Sequence, residues 1–116
     1  MSNIKIIAIK KLRAHEKIDK NNLKKIKKSI KRAGCLNNPI VVDRTNLIIL
    51  DGHHRMNALN DLGFSKIPVF FVDYMNKRIR VVSRRRNFII NKKEIIKRAL
   101  SGRLYPHKTS KHFIPS

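Results

Sequence analysis

The run Leu47-Ile48-Ile49-Leu50, followed at once by Asp51-Gly52 and then by Met56, Leu59 and Leu62, constrains this chain more than any other stretch. Four apolar residues, two of them β-branched, predict a buried strand. The chain turns at Asp51-Gly52, and the later apolar residues recur at helical spacing. A strand that turns through glycine into a helix leaves unpaired backbone N–H groups in the first helical turn, where the helix dipole adds partial positive charge. Such a spot favours an anion, phosphate above all. His53, His54 and Arg55 add two imidazoles and a guanidinium, so Asp51 to Arg55 is a candidate anion site. The bland alternatives are capping by Asp51 and a capping or core role for the histidines.

Around this turn the pattern alternates between strands and helices. Asn3 to Ile9 is predicted as a strand from its β-branched content. A polar loop, Leu12 to Asp19, carries Glu16. A helix should start near Asn21 or Asn22, with Asn as cap. Leu23, Ile26, Ile30 and Ala33 form its buried stripe, Lys24, Lys25, Lys27, Lys28, Lys31 and Arg32 its outer face, and Gly34 a left-handed end. Pro39 to Asp43 reads as a strand joined through Arg44-Thr45-Asn46 to the Leu47–Leu50 strand, and the central helix should stop at Gly63. Lys66 to Tyr74 is the next strand, with Pro68 near its start. Lys77 to Ser83 alternates like an edge strand with one wet face, and Arg84-Arg85-Arg86 is a basic knot after it. Asn91 and Glu94 open a last helix in capping-box fashion, which ends at Gly102. The tail from Arg103 to His112 has no periodicity. With 116 residues the prediction is one α+β domain, a small mixed sheet with helices packed on it. Residues 1–76 are its core, and 77–116 add an edge strand, a helix and a functional tail.

Charge narrows the partners. There are 28 Lys and Arg against 7 Asp and Glu, a formal net charge of +21, which implies attraction to polyanions or merely a solvated coat. Cys35 is the sole cysteine, so no internal disulfide is expected, in keeping with a reducing cytoplasm. No signal-peptide pattern is visible, nor an apolar run near the roughly 18 residues of a membrane span. A soluble, cytoplasmic protein without membrane contact is the expectation.

Three pieces together resemble the ParB/sulfiredoxin-like superfamily, and within it the free L-serine kinase branch. They are the loop His15-Glu16-Lys17-Ile18-Asp19, the turn Asp51-Gly52-His53-His54-Arg55 and the tail Ser101 to His112. The superfamily likeness covers roughly Ile9 to Tyr74. The resemblance implies that Glu16 is the catalytic glutamate taking the proton of the serine hydroxyl. It implies that Gly52, His53, His54 and Arg55 cradle the phosphates of ATP or ADP, and that Asp51 assists magnesium or the reacting phosphoryl group. It also implies that Lys108, Thr109, Ser110 and His112 line the amino-acid side. Phosphoryl transfer needs a positioned acceptor for the hydroxyl proton more than a strong base. Kinases of this branch are generally longer, whereas about two dozen residues separate Tyr74 from Leu100 here. The site is therefore abbreviated, completed by a second subunit in a homodimer, or no longer catalytic.

The rival is a nucleotide-gated or non-specific DNA-binding ParB-like protein, using Arg84-Arg85-Arg86 and the lysine face of the first helix for phosphates. A nuclease is less apt, because no metal cluster is visible in the sequence. Sulfiredoxin chemistry would need a cysteine where His53 stands, and Cys35 reads instead as a packed thiol.

Overall fold

A computed structural model describes residues 4–34 and 39–115; Asn3 and Cys35, which figured in the sequence expectations, lie outside them. Strand β1 (Ile4–Ala8) is followed by a 3-10 turn (Ile9–Lys11), helix α1 (Lys20–Ala33), strands β2 (Ile40–Asp43) and β3 (Ile49–Asp51), and helix α2 (His53–Asp61). Strands β4 (Lys66–Val72) and β5 (Arg80–Ser83), helix α3 (Lys92–Ser101) and strand β6 (Ser110–Phe113) complete the chain. One sheet has the order β1-β4-β2-β3, and β5 and β6 form a separate ribbon. The main sheet is mixed: β4 runs antiparallel to β1 and parallel to β2, and β2 is antiparallel to β3.

The unbroken apolar run at Ile48-Ile49-Leu50 reflects burial on both faces of that sheet. Ile49 joins Ile40, Val42, Ile67 and Val69 in a cluster reached by Ile30 of α1 and Leu59 of α2. Its neighbours Ile48 and Leu50 point the other way, into a cluster with Val72, Tyr74, Ile95, Ala99 and Tyr105. Helices α1 and α2 thus cover one face, and α3 with the C-terminal segments the other.

Several boundaries differ from the sequence expectation. Helix α1 starts earlier, because Asp19 rather than Asn21 or Asn22 is its cap, its side chain accepting from Asn21 N at 3.1 Å. Its buried stripe ends at Ile30: Lys31 to Gly34, Ala33 included, are exposed. Leu47 falls outside β3, with φ 57°; its N–H donates to Asp43 O at 2.9 Å and extends the turn. Tyr74 lies beyond β4, in a turn where Asp73 accepts from Met75 and Asn76. Strand β5 begins only at Arg80. The tail without periodicity contains β6, paired antiparallel with β5 from Arg80↔Phe113 to Ser83↔Ser110.

Gly52 is the position where the backbone leaves no choice. Its φ is 109°, and a Cβ there would overlap Ile40 Cγ2 and come within 2.8 Å of Ile40 Cβ. Gly63 also has positive φ (93°) but faces open space. Gly52→Ala should therefore cost about 2–4 kcal/mol, from strain plus overpacking, and Gly63→Ala only about 1. Thermal melts of the two variants check this; equal losses would show that close approach to β2 is not the constraint.

Candidate functional site

The turn behaves as its glycine dictates. Gly52 caps α2 without any side-chain hydrogen bond, so helix geometry leaves the N–H groups of His53 and His54 without intrahelical acceptors. Asp51 does not cap the helix. Its Oδ2 instead accepts from Arg55 Nη2 at 2.9 Å, one helical turn on. Turn and pair border a cleft of about 480 Å3.

Both imidazoles of the turn are committed to the protein. His53 Nε2 accepts the His15 N–H at 3.1 Å, and His54 Nε2 accepts the Asp19 N–H at 2.8 Å. Accepting at Nε2 puts the proton on Nδ1, so each ring is neutral. Burial, followed by the neighbouring His54 and His112, brings the His53 pKa down to about 3. Burial lowers that of His54 as well. The two histidines border the cleft, yet their work is to strap the loop from His15 to Asp19 onto the turn.

That strap delivers Glu16. The loop is fixed from the other side by the tail, through Lys17 N to Tyr105 O at 2.7 Å and Tyr105 N to His15 O at 2.8 Å. Glu16 Oε1 then accepts the N–H groups of Thr109 and Ser110, at 2.6 and 2.8 Å. Both bonds go to one oxygen, Oε1. Burial raises the Glu16 pKa, outweighing the amides of Ser110 and Thr109, the Ser110 hydroxyl and the Arg84 charge, which all lower it.

The tail residues divide by task. Thr109 is fully buried, and its hydroxyl donates to Pro106 O at 2.5 Å; its backbone, not its side chain, serves the site. Ser110 Oγ hydrogen-bonds His15 Nε2 at 3.0 Å. Tyr74 OH hydrogen-bonds His112 Nε2 at 2.8 Å. Lys108, exposed and at φ 55°, borders the cleft with Ser110 and His112. The structure therefore brings Glu16, Asp51, Gly52, His53, His54, Arg55, Lys108, Ser110 and His112 around one cleft, and sets Thr109 just behind it.

Sequence reasoning gave no cleft role to Arg84, Lys111 or Asn22, which also border it. Arg84 was visible only as part of a basic knot; its neighbour Arg85 is used internally, donating to His107 O at 2.7 Å. His15 was overlooked too. It stacks edge-on to His53 at 4.6 Å and to His112 at 5.7 Å between centroids. Among the described residues its Nδ1 has no hydrogen-bond partner, although the Ile49 backbone nearby favours the charged form.

The model of the ParB N-terminal domain matches residues 1–87. The chain belongs to the ParB N-terminal domain family. The ParB/sulfiredoxin-like α+β fold anticipated from the turn and its flanks is the fold found. Over 80 residues this ParB N-terminal domain is 31% identical to an ATP-dependent L-serine kinase of Staphylothermus marinus, covering 66% of the chain and 32% of that protein. Over 87 residues it is 37% identical to a ParB-like protein of Sulfolobus acidocaldarius, covering 70% of the chain and 41% of the relative. The match thus spans less than half the length of either relative. A free serine kinase mutant in complex with AMP shares the fold at a TM-score of 0.86, covering 98% of this chain and 89% of that one at 13% identity.

The buried histidines make the ParB N-terminal domain acid-sensitive. In the unfolded chain they gain protons near pH 6.5, whereas in the fold burial holds His15 and His53 down to about 2 and 3. The stability they confer is complete above pH 6.5 and is lost as pH falls toward those values. At pH 5 each accounts for about 2 kcal/mol of the loss, at ~1.4 kcal/mol per pH unit. The melting temperature should fall steeply from pH 6.5 to 5, and His53→Asn should flatten that slope. A melting temperature constant over this window would refute the buried neutral cluster.

Proposed function

We propose that this domain binds the phosphates of ATP or ADP at Gly52 to Arg55 and transfers the terminal phosphoryl group to the hydroxyl of free L-serine or a close relative. One observation carries the reading. Glu16 is fixed at the rim of the anion-binding turn by amides 93 and 94 residues away in sequence. A carboxylate held this firmly is more than a loop residue needs for solubility. Similarity to proteins named as L-serine kinases supports the same reading.

In the proposed step the serine oxygen forms a bond to the terminal phosphorus, the bond from that phosphorus to the nucleotide's bridging oxygen breaks, and the hydroxyl proton passes to Glu16 Oε2. The raised pKa of Glu16 makes it a better proton acceptor than an ordinary glutamate. Helix α2 offers its first N–H groups to phosphate. Arg55, Arg84 and Lys108 border the same space and oppose the charge that spreads over the phosphoryl oxygens in the transition state. The amino acid's carboxylate would lie against Lys108 and the Ser110–His112 strand.

Among the described residues no group of three His, Cys, Asp or Glu could hold a metal by itself. Asp51, with a side chain 62% exposed beside the cleft, fits the usual magnesium arrangement of one carboxylate plus nucleotide phosphates. Magnesium there would neutralise phosphate charge.

Incubation with magnesium, L-serine and either nucleotide should yield free O-phosphoserine. Glu16→Gln, which keeps an oxygen for the Thr109 and Ser110 amides, should lower the rate roughly 100-fold or more with nucleotide affinity nearly unchanged. Full activity in Glu16→Gln would remove Glu16 as the base. Nucleotide binding without product under any condition would leave a nucleotide-binding module in place of a kinase.

A further inference from the structure

The β5–β6 ribbon has a second face, and of its residues only Lys111 also borders the cleft. Its register pairs Arg80 with Phe113 and Val82 with Lys111. Cross-strand partners share a face, and alternate residues return to it. These four therefore form one face, while Ser110 and His112 lie on the other, toward the cleft. All four outer residues are exposed, Val82 by 44% and Phe113 by 39%. The Arg80 guanidinium carbon and Lys111 Nζ each lie 5.3 Å from the centre of the Phe113 ring.

A lone exposed phenylalanine needs no explanation. A ring on an open ribbon attended by a guanidinium and an ammonium is different. It offers a stacking surface for a base with cations at hand for the flanking phosphates. The charge of this part of the chain points to the same class of partner. Residues 77–116 hold 13 Lys and Arg and a single acid, Glu94, whereas residues 1–76 hold 15 and 6. A cleft for one small nucleotide and one amino acid does not require that excess.

We propose that the outer face of β5–β6 binds single-stranded nucleic acid, with a base on Phe113 and phosphates on Arg80 and Lys111. A duplex hides the faces of its bases, and an acidic protein could answer the cations but not the ring. The inference uses none of Glu16, Asp51 or Gly52 to Arg55, so it stands or falls apart from the phosphotransferase reading.

The chain contains no tryptophan, so Phe113→Trp installs a lone fluorescent reporter on the ribbon. An oligothymidylate or oligouridylate of about 12 nucleotides, within the range one small binding surface covers, should quench it, while a matched duplex and polyglutamate should not. By anisotropy, Phe113→Ala should weaken single-strand binding roughly tenfold with an unchanged salt dependence, since no charge is lost. Arg80→Gln should reduce the slope of log affinity against log salt by about 0.7. Absence of quenching, duplex or polyglutamate bound as tightly as the single strand, or wild-type affinity in both Phe113→Ala and Arg80→Gln would each overturn the proposal.

Discussion

The Glu16 carboxylate accepts the backbone N–H groups of Thr109 and Ser110, and with this contact the chain closes on itself. Burying a carboxylate is costly unless its charge is met by donors; here two amides and the Arg84 charge meet it. The contact fixes the start of β6, which pairs with β5, and the opposite side of the same loop is tied to α2 through His53 and His54. Loop, turn and tail therefore hold a shared cleft that no one of them could form alone.

The neutral histidines are the second half of that construction. His15, His53 and His112 pack ring to ring at the cleft, and the Nε2 of each is spent, on Ser110 Oγ, His15 N and Tyr74 OH in turn. His53 and His54 read in the sequence as phosphate ligands through the family resemblance of the turn. Their actual donors, the His15 and Asp19 N–H groups, lie 38 and 35 residues away, so no local pattern could reveal the pairing. In the proposed reading the phosphates meet the backbone N–H groups of the turn and Arg55, with the rings as supports.

What was legible had a local cause. The apolar run Ile48 to Leu50 and Gly52 specify a buried strand and a left-handed turn, and Gly34, Asn91 and Gly102 mark helix ends by their own backbone chemistry. Glu16 was legible as a site residue only through the combination of loop, turn and tail. Strand β6 was not legible. Of its four residues, Ser110 and His112 turn polar side chains inward while Lys111 and Phe113 face out, so the usual alternation of apolar-in and polar-out is absent. Asp19 displaced Asn21 and Asn22 as the α1 cap because its N–H is also captured by His54, a tertiary tie invisible from propensity.

The proposed chemistry turns on a partly buried Glu16 held by the tail amides, and carboxyl-resolved NMR titration reads that directly. With the glutamate side-chain carboxyls labelled, the Glu16 signal should titrate above the ordinary glutamate value of 4.5, since burial raises it. The amide protons of Thr109 and Ser110 should shift with the same midpoint. A midpoint at or below that ordinary value, or tail amides that do not follow it, would contradict the arrangement on which the proposed chemistry rests.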